Sequence, residues 1–129
     1  MSTLLVAEDD PDVLELIVSA LRLTGHEVIA ARDGMQAVAL LRTREVDLAV
    51  LDVLMPRMTG IEVLREVRGD SSLPQPAVLM LSALCSRADM RAGFVAGADD
   101  YLAKPFDLRE LLDRVDTLLT ERALSAALF

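Results

Sequence analysis

The chain is short of cysteine, of basic residues and of long apolar runs, and each shortage removes a class of function. A single cysteine, Cys85, stands in 129 residues. That excludes an internal disulfide and a multi-cysteine metal site, and it suits a reducing cytoplasm. Thirteen Lys and Arg face 21 Asp and Glu, for a formal net charge of -8. A broad basic face for nucleic acid, which has to neutralise phosphates, is not available. No apolar stretch approaches the roughly 20 residues that span a bilayer. The opening MSTLLVAEDD has no basic region and turns acidic after a short apolar run, unlike a signal peptide. The expectation is a cytoplasmic protein that binds neither membrane nor nucleic acid directly.

What is present is apolar and periodic. Hydrophobic residues make up 53% of the chain and charged ones 26%, enough for one domain with a sizeable core. Thr3 to Ala7 is a short apolar run ending on Glu8, Asp9 and Asp10. Asp10 then suits an N-cap and Pro11 a first helical position. Val13, Leu14, Ile17, Val18 and Leu21 recur at helical spacing before Gly25. Glu27 to Ala31 reads as a second strand. Asp33 with Gln36 resembles a capping box opening a helix to about Arg44.

Asp47 to Leu51 is the third predicted strand, followed by Asp52 and a loop from Pro56 to Gly60. Val63, Leu64 and Val67 mark a third helix, and Ala77 to Leu81 a fourth strand running into Ser82. Ser86 caps a weaker helix with Met90 and Phe94 as its inward residues and Gly97 as its stop. Tyr101 to Ala103 is a brief fifth strand ended by Lys104-Pro105. Asp107 and Glu110 then form a capping box before a helix striped with Leu108, Leu111, Leu112, Val115, Leu118 and Leu119. Residues 1–121 read as one domain, with 122–129 a helical extension or the start of a linker.

Five strand–helix alternations with short connections predict an α/β fold: a doubly wound, five-stranded parallel sheet in a three-layer sandwich. The C-terminal strand ends of such a sheet share one rim, where ligands bind. This sequence puts Glu8, Asp9, Asp52, Ser82 and Lys104 there. Three adjacent acids repel unless a cation compensates them. Hard carboxylate oxygens select Mg²⁺, and Glu8, Asp9 and Asp52 are the candidate ligands, with the backbone carbonyl of Leu54 as another oxygen. A carboxylate facing Mg²⁺ can also attack phosphorus and become an aspartyl phosphate. Lys104 and Mg²⁺ would meet the developing charge, and Ser82 would donate to the phosphate.

The same residues resemble the receiver domain of two-component response regulators over residues 3–121. The matching pieces are LVAEDDP, LDVLMPRMTG around Asp52, Ser82-Ala83 in VLMLSA, and Lys104-Pro105-Phe106 in GADDYLAKPF. Thirty residues separate Asp52 from Ser82 and twenty-two separate Ser82 from Lys104, as in receivers. The resemblance implies a flavodoxin-like (βα)5 sheet in the order 2-1-3-4-5. It makes Asp52 the acceptor of a phosphoryl group from a histidine kinase or phosphotransfer protein, and Ser82 and Tyr101 a switch pair. The hydroxyl would move toward the phosphate and the ring swing inward behind it. The Lys104-Pro105 bond is expected to be cis. The readout falls on the fourth helix, fifth strand and fifth helix.

GADDYLAKPFDLRELLDRV further resembles the winged-helix transcription-factor subfamily, which implies a phosphorylation-dependent homodimer with Asp99, Asp100, Glu110 and Arg114 on its face. Val95 and Asp116 depart from that pattern, and Thr59 stands where receivers often carry an acid. Glu8 and Ser82 replace chemically similar residues. Leu54 and Leu84, two positions beyond Asp52 and Ser82, are apolar, which implies slow self-dephosphorylation. A Mg²⁺-dependent phosphohydrolase would need a second acid where Leu54 stands. A scaffold that has lost phosphorylation would not keep the full rim set.

Overall fold

The computed structural model describes residues 2–128. Elements alternate as β1 (Thr3–Ala7), α1 (Pro11–Leu23), β2 (Glu27–Ala31), α2 (Gly34–Thr43) and β3 (Leu48–Asp52). They continue as α3 (Gly60–Arg68), β4 (Ala77–Ser82), α4 (Arg87–Ala96), β5 (Asp100–Ala103) and α5 (Leu108–Leu128). The sheet runs β2-β1-β3-β4-β5 with every pair parallel. The expected architecture and order are both present. β3 and β4 each extend one residue further than their apolar runs suggest, so Asp52 and Ser82 are themselves strand residues.

The two faces follow from alternation along each strand. Leu5, Ala7, Ala49, Leu51 and Met80 point to one side, where α2 and α3 cover them with Val38, Leu41, Val63, Leu64 and Val67, and α4 adds the half-buried Met90. Leu4, Val6, Val50, Leu79 and Leu81 point to the other, against Leu14, Ile17 and Leu21 of α1 and Leu111, Val115 and Leu118 of α5. β3 is buried along its whole length, as a central strand covered on both faces must be.

Most helix starts behave as their sequences require. Asp10 accepts from the N–H groups of Asp12 and Val13. Thr59 with Glu62, and Ser86 with Asp89, close reciprocal capping boxes. Two expected boxes stay open. Asp33 accepts from the Gln36 N–H at 2.8 Å, but the Gln36 carboxamide accepts from Arg32 instead. Asp107 accepts from Arg109, and the Glu110 carboxylate turns to Arg114 one turn along at 3.0 Å. A guanidinium is a stronger partner for a carboxylate than a backbone N–H. In α4, Met90 packs inward as expected, but Phe94 is 45% exposed. The inward position of that turn belongs to Gly93, which lets the helix sit close to the sheet and rolls Phe94 outward.

The loop from Val53 to Thr59 is tightly constrained. The Gly60 N–H donates to Val53 O at 2.9 Å, and a Cβ on Gly60 would overlap the Asp52 carbonyl oxygen. A Cβ on Gly34 would likewise overlap the Met58 carbonyl oxygen. The Met58 N–H reaches back to Pro56 O at 2.8 Å, a γ-turn centred on Arg57 at φ 70°. An L side chain in this left-handed region costs roughly 1–2 kcal/mol. Arg57→Gly removes that cost but makes the unfolded chain more flexible, which offsets part of the gain. The expected outcome is a urea midpoint shifted upward by about 0.5–1 kcal/mol of stability at unchanged slope. A lower midpoint would show that Arg57 contributes contacts exceeding its strain.

Candidate functional site

Among the described residues, the buried polar side chains are three: Glu8 (1% exposed), Asp52 (4%) and Ser82 (1%). All three stand at C-terminal strand ends. Glu8 follows β1, anchored by its N–H to Ala31 O of β2. Asp52 closes β3 and Ser82 closes β4. Lys104 follows β5, its own N–H donating to Ser82 O at 2.8 Å, and its bond to Pro105 is cis as expected.

Lys104 is the chain's only lysine, and it holds this rim together. Its Nζ donates to Glu8 Oε1 at 2.5 Å and to Asp52 Oδ2 at 2.9 Å. Partial burial disfavours its charge, but the hydrogen bonds to the Glu8 and Asp52 carboxylates outweigh burial and raise its pKa above that of an ordinary lysine. The ammonium is therefore a fixed cation at physiological pH. The second oxygen of Asp52 accepts from the Leu54 N–H at 3.2 Å, and that of Glu8 from the Asp10 N–H at 3.3 Å.

Asp9 stands at the mouth. Desolvation, reinforced by its neighbour Glu8, raises its pKa, so its negative charge is disfavoured there. One carboxylate oxygen each of Glu8, Asp9 and Asp52 lies within 4.8 Å of the others. Three hard oxygens gathered together, with one ammonium against three carboxylates, suit a divalent cation. Mg²⁺ fits by donor type and by charge.

Ser82 and Tyr101 share no hydrogen bond; they hold opposite ends of Leu84. Ser82 Oγ accepts from the Leu84 N–H at 2.9 Å, and Tyr101 Oη donates to the Leu84 carbonyl at 2.6 Å. The tyrosine ring lies inward, 4% exposed. The sequence singled out Leu84 only for its apolar side chain; no sequence signal marks a backbone link.

Of the four residues expected on one face, three meet. Arg114 pairs with Asp100 at 2.8 Å and with Glu110 at 3.0 Å. Asp99 lies apart, accepting from the Val78 N–H at 2.8 Å and from Arg68 Nη2 at 3.1 Å. There it satisfies the start of β4 and the guanidinium of Arg68, which also donates to Gly97 O, Pro76 O and Gln75 Oε1. Sequence reasoning missed Arg68 because its partners Gly97 and Asp99 lie about thirty residues away, where no local spacing rule reaches.

The sequence matches the response regulator receiver domain family over residues 4–116. The chain belongs to that family. Among its relatives is the DNA-binding dual master transcriptional regulator RpaA of Synechocystis, 40% identical over 98% of this chain and 54% of that protein. Response regulator MprA of Mycobacterium tuberculosis is 44% identical over 90% of this chain and 50% of its own length. The chain thus spans about half the length of the curated relatives it matches. Among solved structures, the receiver domain of Francisella response regulator 1452 superposes with a TM-score of 0.88 at 35% identity, covering 94% of this chain and 98% of that one. A CheY-like receiver from Methanospirillum hungatei reaches 0.90 at 26% identity, covering 97% and 98%. This receiver domain is therefore a two-component signalling module whose relatives are transcriptional regulators. No helix among the described residues is long and apolar enough to cross a membrane.

The acids at the mouth generate a prediction of opposite signs. In chelator, Asp9→Asn removes one of three crowded carboxylates and is expected to raise the thermal midpoint. Added Mg²⁺ is expected to stabilise the unsubstituted protein, by about 2.7 kcal/mol at a hundredfold excess over Kd, and to leave Asp9→Asn nearly unchanged. Equal Mg²⁺ responses in the two proteins would remove Asp9 from the cation site.

Proposed function

We propose that Asp52 is the phosphoacceptor of a receiver that takes its phosphoryl group from a histidine kinase or phosphotransfer protein in the cytoplasm. The observation that carries this reading is the Lys104 ammonium held between Glu8 and Asp52 at the buried ends of three strands. Asp52 Oδ forms a bond to phosphorus as the P–N bond of the donor's phosphohistidine breaks. The imidazole leaves and takes its proton from solvent. Lys104 already touches Asp52, so it is placed to follow the added negative charge with little reorganisation. Glu8 keeps the ammonium aimed at the rim.

Glu8, Asp9, Asp52 and the Leu54 carbonyl are the proposed Mg²⁺ ligands. When bound, Mg²⁺ supplies charge neutralisation for the transferring phosphoryl oxygens. In this sense the protein is a switch that catalyses its own modification, rather than an enzyme turning over a separate substrate.

Readout starts at Ser82. Its Oγ lone pair is engaged by the Leu84 N–H, which leaves the hydroxyl proton free to be donated to a phosphoryl oxygen. Rotation toward the phosphate shifts Leu84, and the Leu84 carbonyl carries that shift to Tyr101 and α4. Phe94 and Val95 of α4 are exposed, and the Asp100–Arg114–Glu110 network lies on β5 and α5. This α4-β5-α5 face is the proposed homodimer surface, with Arg114 exchanging an internal partner for one on the second copy. An acidic domain of net charge -8 is not the part that grips DNA; its role in transcription regulation is to switch.

Incubation with acetyl phosphate and Mg²⁺ is expected to add the mass of one phosphoryl group to the protein and nothing to Asp52→Asn. Phosphate release without an adduct would point instead to a hydrolase, and neither outcome to a scaffold. Leu54 and Leu84 flank the rim with exposed apolar side chains that cannot orient an attacking water. The adduct is therefore expected to outlast seconds by a wide margin, and Leu84→Glu to shorten its life. A lifetime of seconds that Leu84→Glu leaves unchanged would overturn this. Sedimentation with beryllofluoride and Mg²⁺ is expected to show a dimer that Arg114→Ala weakens; an unchanged monomer removes the dimer from the proposal.

A further inference from the structure

α4 carries a glycine in its middle, where only proline is a poorer helix former. Gly93 is buried, and it faces a ring. A Cβ built on it would lie 3.0 Å from Tyr101 Cδ2 and 3.1 Å from Cε2, with Ile61 Cδ1 behind at 3.9 Å. Contacts of carbon with carbon prefer about 3.5–4.0 Å, so a methyl group there forces a neighbour to move. The ring has little freedom to do so. It is held at its far end by the hydrogen bond from Tyr101 Oη to the Leu84 carbonyl, at 2.6 Å. Lifting α4 instead strains the same link, because the Ser86–Asp89 box fixes the start of α4 two residues after Leu84.

We propose that Gly93 is the positioning residue for Tyr101: the side chain it lacks is the slot that admits the ring, and the size of residue 93 sets the balance between the inward and outward ring. The inference rests on the reading of Ser82 and Tyr101 as a switch pair. Gly93 touches neither phosphate nor metal. It acts through the tyrosine, by letting one α4 position close on the ring face while the hydroxyl closes on Leu84. A larger residue pushes the ring out, frees the Leu84 carbonyl, and breaks the path from Ser82 to the α4-β5-α5 face.

The chain has one tyrosine and no tryptophan, so tyrosine fluorescence reports on this ring alone. Acrylamide is expected to quench it weakly in the unsubstituted protein and several-fold more strongly in Gly93→Ala, with the far-ultraviolet helical signal retained. Beryllofluoride with Mg²⁺ should draw the ring of Gly93→Ala back and lower its quenching while the far-ultraviolet signal stays constant, whereas refolding of a merely destabilised protein would change both together. Denaturation adds a check that does not depend on fluorescence. Gly93→Ala is expected to lower the urea midpoint in the Tyr101 background and to raise it in Tyr101→Ala, where better helix propensity acts without the clash. Unchanged quenching together with a raised midpoint in both backgrounds overturns the proposal. An acetyl phosphate reaction on the same samples separates the two ideas. An adduct with unchanged quenching overturns the role of Gly93 alone. Raised quenching in a protein that takes no phosphoryl group supports its hold on the ring and removes the switch reading.

Discussion

The structure depends on one ammonium group. Burying Glu8 and Asp52 side by side is costly, because each charge loses its water and the two repel. Lys104 makes the arrangement tenable by donating to both, at 2.5 and 2.9 Å. It can do so only because the strand order places β1 and β3 adjacent and brings β5 within reach across β4. A sheet wound in sequence order would put the lysine one strand further from Glu8 and separate β1 from β3. Topology and electrostatics are thus one constraint: the sheet order is what turns residues 8, 52 and 104 into neighbours.

That compensation is incomplete in charge terms. One ammonium against Glu8, Asp9 and Asp52 leaves an excess of negative charge at the mouth, where desolvation first and then the neighbouring Glu8 raise the pKa of Asp9. The excess favours a divalent cation, which on the proposed reading would meet an incoming phosphoryl group. The same residues would be more stable with fewer acids, so the rim trades folding stability for a receptive site. The fold tolerates it because β1, β3 and β4 beneath the rim are apolar and almost wholly buried.

Much of this was legible in the sequence because the code at strand ends is local. An apolar run that stops on a carboxylate, a hydroxyl or an amine announces both its direction and its rim residue, and Glu8, Asp52, Ser82 and Lys104 each end such a run. The departures have a common cause. Gln36 and Glu110 had the right spacing for capping boxes but met other partners, Arg32 N–H and Arg114, that spacing does not rank. Phe94 fits an inward helical stripe by type, yet the helix rotates because Gly93 sits closest to the sheet. Asp99 and Arg68 meet across a long stretch of chain, and the Leu84 peptide carries its role in backbone atoms that have no sequence identity.

Phe94, Glu110 and the Leu84 peptide lie on the side that includes α4, β5 and α5, while Gln36 opens α2 and Arg68 ends α3. α3 seats Val63, Leu64 and Val67 in the core, whereas the buried residue of α4 is a glycine, and Val95 is 81% exposed. A helix with little apolar area to withdraw from the sheet can shift at small cost, while the strands carrying Asp52 and Ser82 cannot. The firmly seated strands hold the charges, and in the proposed switch the lightly seated helix would read them. Between the two stands the Leu84 peptide, gripped by Ser82 at its N–H and by Tyr101 at its carbonyl. On the proposed reading, a signal that leaves the charged rim through Ser82 would reach α4 by way of that residue.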